Sequence, residues 1–272
     1  MLRFLKNVWA RMASLDDEDH NSPSDSPVIL EPWTPGIPEG VRLYVVGDIH
    51  GRSDLLRKMH AMIQADMAPL PASQRKLVIY LGDYVDRGDD SKGVIDILLD
   101  EPIPGAESIH LKGNHEAEMQ DFFVNPVGGH TWTQYGGMST ALSYQVRVPA
   151  RISAESRMLE LRDKLLEAIP QRHQAFLSSL RFRYEVGDYF FVHAGVRPGT
   201  PLKLQLHPDL LWIRNPFLEY EGRFEKMVVH GHTVSESPVI THHRIGIDTG
   251  AYYSGHLTCL VLEETKQHFL VT

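Results

Sequence analysis

Five times in this chain a short apolar run ends at or beside a glycine flanked by acidic, amide or imidazole side chains. Val41–Val46 leads into Gly47-Asp48-Ile49-His50-Gly51, and Leu77–Leu81 into Gly82-Asp83-Tyr84-Val85-Asp86-Arg87-Gly88. Ser108–Lys112 leads into Gly113-Asn114-His115-Glu116, Tyr189–Val192 into His193-Ala194-Gly195, and Met227–His230 into Gly231-His232-Thr233. Runs of this length, rich in β-branched and aromatic residues, read as strands buried on both faces. Helical stretches intervene at about Ser53–Gln64, with Ser53 as N-cap, and at Lys92–Leu99. Strand, loop, helix, strand is the order of a sheet packed by helices. Further strands are expected at Arg244–Ile247 and Leu257–Leu262, and Ser153–Ser179 reads as helix interrupted at Pro170. The expected fold class is therefore α/β, a layered sheet core flanked by helices.

Composition removes several function classes. Hydrophobic residues at 42% and charged residues at 23% are those of a globular chain rather than a disordered one. No apolar run reaches the ~18 residues of a membrane-spanning helix. With 35 acidic against 27 basic side chains the formal charge is −8, the wrong sign for a nucleic-acid partner. A single cysteine, Cys259, forbids an internal disulfide and fits a reducing, cytoplasmic setting. Residues 1–12 carry three basic side chains and place Leu2, Leu5, Trp9 and Met12 at helical spacing. An acidic run and a Ser/Pro stretch follow, so the expected organisation is a flexible segment 1–39 ahead of a catalytic domain 40–272. For residues 1–12 the plain reading is a frayed terminus, and the alternative is weak peripheral contact with a membrane surface.

Ligands of such sheets bind beyond the carboxyl ends of the strands. The five loops at those ends carry Asp48, His50, Asp83, Asn114, His193 and His232: two carboxylates, one amide and three imidazoles, with no thiolate. Mixed nitrogen and oxygen donors suit Mn, Fe, Zn or Co and argue against soft-metal sites. Six donors are too many for one tetrahedral zinc and suit two divalent ions that share a carboxylate. Any one such residue is commonly a turn former; five strand ends each delivering one are not.

Taken in order, GDIHG, GDYVDRG, GNHE, HAGV and GHT resemble the signature of the phosphoprotein phosphatase branch of the calcineurin-like metallophosphoesterases. Trp132–Tyr144, Leu211-Trp212-Ile213-Arg214 and Ile247-Asp248-Thr249-Gly250-Ala251 are similar to its bacterial and phage-type members. The resemblance implies a serine/threonine protein phosphatase with two metal ions, Mn²⁺ foremost. It implies Asp48, His50, Asp83 and His232 on one ion, and Asp83, Asn114 and His193 on the other, with Asp83 bridging. Arg87 and Arg214, with Asn114, would bind the phosphate, since guanidinium pairs bidentately with its oxygens. His115 would protonate the leaving group, its imidazolium held by Asp86. A metal-activated hydroxide would attack phosphorus in line, with no covalent intermediate.

Two alternatives are weighed against the phosphatase acting on phosphorylated protein. One is a diadenosine tetraphosphatase-like hydrolase of a small phosphoester, which shares these motifs. The other is a non-catalytic phosphate-binding module, which retention of every ligand and of His115 disfavours. Several residues receive plain readings. Glu116 favours a helix N-terminus, and Asp248 either orients a ligand or makes a turn. His242 and His243 are placed at the surface, His230 in the core, and Cys259 in an apolar strand as an inert small side chain.

Overall fold

The computed structural model describes residues 33–148 and 153–272; both readings of residues 1–12 and most of the Ser/Pro linker lie outside them. Among the described residues ten strands form two five-stranded sheets. The first runs in the order β10 (Lys266–Val271), β9 (Thr258–Glu263), β1 (Val41–Val46), β2 (Arg75–Tyr80), β3 (Glu107–His110). The second runs β4 (Arg183–Val186), β5 (Tyr189–Val192), β6 (Met227–His230), β8 (Arg244–Gly246), β7 (Val239–Ile240). In each sheet three adjacent strands are parallel: β1 with β2 and β2 with β3, then β5 with β6 and β6 with β8, while β1 pairs antiparallel with β9. The edges β9–β10, β4–β5 and β7–β8 are antiparallel. The sequence patterns behind β4, β7 and β10 lack long apolar runs, because these edge strands bury one face or less.

Four of the five apolar runs lie in the interior of these sheets, and the fifth, β3, lies at an edge. All but the first residue of β1 and β2, and every residue of β5 and β6, are buried, so both faces of each sheet are covered. On one face of the first sheet Tyr44, Val46, Val78 and Tyr80 pack against Leu55, Leu56, Met59 and Ile63 of α1 (Ser53–Met67) and Val94, Ile95 and Leu98 of α2 (Ser91–Asp100). Phe190, Val192 and Val228 of the second sheet pack against Leu210 and Phe217 from the short helices that follow β5. Leu43, Val45, Leu77 and Ile79 of the first sheet and Phe191 and Val229 of the second are buried as well.

Two local expectations change, and the break at Pro170 holds. Ser53 does not cap α1: it is the first helical residue, and its hydroxyl donates to Asp90 Oδ2 at 2.6 Å. Asp90 instead caps α2, accepting from Gly93 N at 2.9 Å. The break at Pro170 separates two helices, Ala154–Ala168 and Gln171–Ser179, and Ser153 caps the first by accepting from Ser156 N. The expected boundary after residue 39 falls inside a docked segment. Ile37 is buried and donates its N–H to Glu264 O at 2.9 Å, while Asp188 N donates to Gly36 O at 2.9 Å. Gly36–Pro38 thereby lies across the β9–β10 and β4–β5 turns. Among the described residues no helix is long and apolar enough to cross a membrane.

Candidate metal centre

Parallel strands β1, β2 and β3 end on one edge of the first sheet, and β5 and β6 end on the matching edge of the second. Hydrogen bonds knit these exits together: Ile49 N and His50 N donate to Asp83 O at 3.2 and 2.8 Å, and Gly231 N donates to His193 O at 2.8 Å. The glycines are required by close approach at two of them. A Cβ on Gly231 would lie 2.0 Å from Asp48 Oδ1, and one on Gly82, whose φ is +110°, would lie 2.4 Å from Gly113 N. The turns that follow are strained. Among the described residues seven non-glycine residues have positive φ, and five are His50, Asp83, Asp86, Arg87 and His232. Such strain persists where surrounding structure holds a site in place.

The donor atoms converge in two groups that share Asp83. One holds His50, Asp83 and His115, the other Asp83, His193 and His232, with the donor atoms of each within 4.8 Å of one another. Asp83 reaches both ways: Oδ2 lies 3.3 Å from His50 Nε2, and Oδ1 lies 3.5 Å from His193 Nε2. Asn114 Oδ1 joins the second group, 2.8 Å from His193 Nε2 and 2.9 Å from His232 Nδ1. This corrects the expected partition. His232 sits with Asp83, Asn114 and His193 rather than with Asp48 and His50. The left-handed backbone at His232, φ +61°, sends its ring to Asn114 while its N–H turns back to Asp48 Oδ2 at 3.0 Å. Asp48 lies outside both groups of three, and its buried Oδ1 has no hydrogen-bond partner.

The donor set fits divalent cations. His50 Nδ1–H donates to Val85 O at 3.0 Å and His193 Nδ1–H to Leu81 O at 3.1 Å, so each presents its Nε2 lone pair to the centre. Burial holds these imidazoles neutral, pushing His50 down to about 3 and His232 to about 2, and lowering His193. In the second group the bare Nε2 of His193 faces the amide oxygen of Asn114 at 2.8 Å without a proton to share, and the buried Nε2 of His232 has no hydrogen-bond partner, an arrangement a cation satisfies. Three buried carboxyls also lie together. Burial, then the neighbouring Asp248 and Asp83 charges, drives Asp48 well above the carboxylate range. Asp248 is pushed up to about 6 by burial, with Asp83 adding to it. Its Oδ1 accepts Gly250 N at 2.9 Å, so it both builds the turn and faces Asp48.

His115 differs from the other three imidazoles. Burial opposes its protonation, but Asp83 and the hydrogen bond to Asp86 outweigh that and raise its pKa. Its Nδ1–H donates to Asp86 Oδ2 at 2.7 Å, which turns Nε2 to within 4.0 Å of Asp83 Oδ2. Asp86 is itself held on three sides. Trp132 Nε1–H donates to Oδ2 at 2.9 Å, Thr140 Oγ1–H to Oδ1 at 2.6 Å, and its own N–H is accepted by Thr140 Oγ1 at 2.8 Å. Three neutral imidazoles beside one favoured to carry a proton is the separation of roles expected of ligands and an acid.

The two arginines stand on different sides. Arg87 Nη1–H donates to His50 Nε2 at 3.1 Å, and its guanidinium lies 5.1 Å from the Tyr252 ring centroid. Arg214 donates from Nη1 to Thr233 Oγ1 at 3.3 Å and from Nη2 to His232 O at 3.4 Å.

Sequence reasoning underrated Glu116. Its buried carboxylate accepts the backbone N–H groups of Gly113, Asp83, Tyr84 and Val85 at 2.9, 3.0, 2.8 and 3.2 Å. Glu at the third position of α3 (Asn114–Val124) was the available signal for this box. Trp132 and Thr140 gave no local signal as partners of Asp86, because they are 46 and 54 positions away. His243 also departs from expectation: it is buried among Phe217, Tyr220 and Phe224, whereas His242 is exposed. His230 and Cys259 are buried as read, and burial pushes the Cys259 thiol up.

Residues 41–257 match the calcineurin-like phosphoesterase family. A curated relative, bis(5'-nucleosyl)-tetraphosphatase PrpE (asymmetrical) of Bacillus mycoides strain KBAB4, is 27% identical over 242 residues, covering 82% of this chain and 91% of the relative. A solved structure described as a candidate diadenosine tetraphosphatase superposes with a TM-score of 0.56 at 21% identity, covering 85% of this chain and 93% of that one. A protein serine/threonine phosphatase from Saccharomyces cerevisiae superposes at 0.50 with 13% identity, covering 87% of this chain and 83% of that one. At these identities the structural likenesses are of fold.

Proposed function

This chain belongs to the calcineurin-like phosphoesterase family and is a phosphoester hydrolase, and from that premise we propose that its substrate is a dinucleoside polyphosphate. The observation that carries this reading is the near full-length relationship to a bis(5'-nucleosyl)-tetraphosphatase, over 91% of that relative. The motifs alone do not separate this substrate from a phosphoprotein, because they recur in both groups; the likeness to the serine/threonine phosphatase is one of fold, at 13% identity.

Asp48, His50 and Asp83 would hold one divalent ion, and Asp83, Asn114, His193 and His232 the other. When bound, the pair supplies an activated water and neutralises phosphate charge. The rest is the work of the side chains. Arg87 and Arg214 bind and orient the phosphate oxygens from two sides. Water adds to phosphorus as the phosphoanhydride P–O bond opposite it breaks. His115 Nε2 gives its proton to the departing oxygen, and Asp86 holds the ring in the tautomer and orientation that allow this. Glu116 keeps the Asp83 turn fixed to the start of α3, so that Asp83, Asn114 and His115 stay in register.

The test is a side-by-side assay with Mn²⁺ of diadenosine tetraphosphate, phosphopeptides and p-nitrophenyl phosphate. Turnover of the dinucleotide should exceed that of the peptides, chelation should abolish it, and Asp83→Asn should be the most damaging ligand variant. Preference for phosphopeptides would return the substrate to phosphorylated protein.

A further inference from the structure

Two large aromatic side chains are exposed beside the donor groups, one on each side. Tyr252 is 37% exposed, and its ring centroid lies 5.6 Å from that of His50, perpendicular to it. Trp212 is 43% exposed, and its ring lies 6.2 Å from that of His232, again perpendicular. Each ring keeps company with one of the arginines. The Arg87 guanidinium lies over Tyr252, and Arg214, two residues after Trp212, donates to His232 O. An exposed ring against a histidine of the centre therefore occurs twice, and each of those histidines accepts a hydrogen bond from one of the two arginines.

Neither ring is explained by packing: neither belongs to the buried clusters that hold the two sheets together. Exposed aromatic surface next to a polyanion seat is what a nucleobase stacks on, since every base has a π-face. A phosphorylated side chain has one anionic group and no second aromatic end. Two units straddling one centre match a ligand with a polyphosphate middle and a base at each end.

We propose that Tyr252 and Trp212 are the two base platforms of this site, each stacking one base while Arg87 and Arg214 hold the phosphates between them. This rests on the dinucleoside polyphosphate reading and deepens it. It assigns specificity to two residues outside the metal and acid machinery.

The test uses the Mn²⁺-loaded full-length protein. Inhibition constants against p-nitrophenyl phosphate are measured for diadenosine tetraphosphate and for inorganic tripolyphosphate, which carries the anhydrides without bases. Hydrolysis of the dinucleotide is followed separately by chromatography. Wild type should prefer the dinucleotide. Tyr252→Ala and Trp212→Ala should each cut that preference by about tenfold, within the range of one base stacked on one ring. Tyr252→Phe and Trp212→Phe should retain most of it. A general loss from misfolding cancels in the ratio. Equal wild-type affinity for the two ligands, or an unchanged ratio in both alanine variants, overturns the platforms. If the dinucleotide is nevertheless hydrolysed, the substrate reading survives that result; if wild type does not hydrolyse it, the reading itself falls.

Discussion

At the scale of single residues, the chemistry divides four buried imidazoles into two kinds. His50, His193 and His232 are held neutral by burial, while Asp83 and Asp86 favour the proton on His115. His115→Asn should therefore leave metal binding in place and lower turnover on an alkyl phosphate by ~10²–10⁴, the usual contribution of a general acid. The loss should shrink on p-nitrophenyl phosphate and on a phosphoanhydride, whose leaving groups need little protonation. Asp86→Asn should act in the same direction and less. Equal losses on all three substrates would remove His115 from the proton-transfer step. The residue types at these positions are legible in the sequence, because each follows an apolar run and a glycine. Which ion His232 serves is not, because that depends on a left-handed turn at the residue itself.

Between elements, two contacts hold the site and the body together. Glu116 joins the β2–α2 loop to the first turn of α3 through four backbone N–H groups. Glu116→Ala leaves those donors buried and unpaired, at ~1–3 kcal/mol for each group left without a partner or water. The expected result is a drop in urea midpoint together with a ~10–100-fold loss of Mn²⁺ affinity, as for partners that orient ligands. Glu116→Gln, which keeps one acceptor oxygen, should fall between. A stability loss with unchanged Mn²⁺ affinity would confine Glu116 to folding. The second contact is Ile37, docked against the β9–β10 turn. Ile37→Ala should cost ~2 kcal/mol, the lower end for a buried isoleucine near an edge, with kcat unaltered; an unchanged urea midpoint would mean that this segment does not stabilise the body.

Over the whole molecule, burial of neutral histidines sets the response to acid. His60, hydrogen-bonded to Tyr80 Oη at 2.8 Å, and His110, stacked on the Tyr80 ring, are both pushed down to about 4 by burial. Their folded pKa values lie below the unfolded value near 6.5. Above that pH they contribute no slope. As pH falls from about 6.5 to about 4, the unfolded chain takes up protons that the folded chain refuses. Stability is then lost at up to ~1.4 kcal/mol per pH unit for each group. Urea midpoints of the chelated protein at pH 7.5, 6.0 and 5.0 check this, chelation removing the separate effect of ion release. His60→Gln should flatten the slope, and an unaltered slope would place the acid sensitivity elsewhere.

The parallel strands of both sheets and the residue types offered at their ends were legible in the chain alone. Buried parallel strands must be continuously apolar, and chemistry at their ends must be polar, so the pattern announces itself locally. The edge strands β4, β7 and β10 escaped that logic, since a strand half in water carries no such run. Tertiary structure decided everything that joins distant segments. It brought Trp132 and Thr140 to Asp86, split the candidate donors between two groups around Asp83, buried His243, and set Tyr252 against His50 and Trp212 against His232. These pairings join loops far apart in the chain, and no local preference of either partner encodes them. They arise only when the loops at the strand ends of the two sheets meet at one centre.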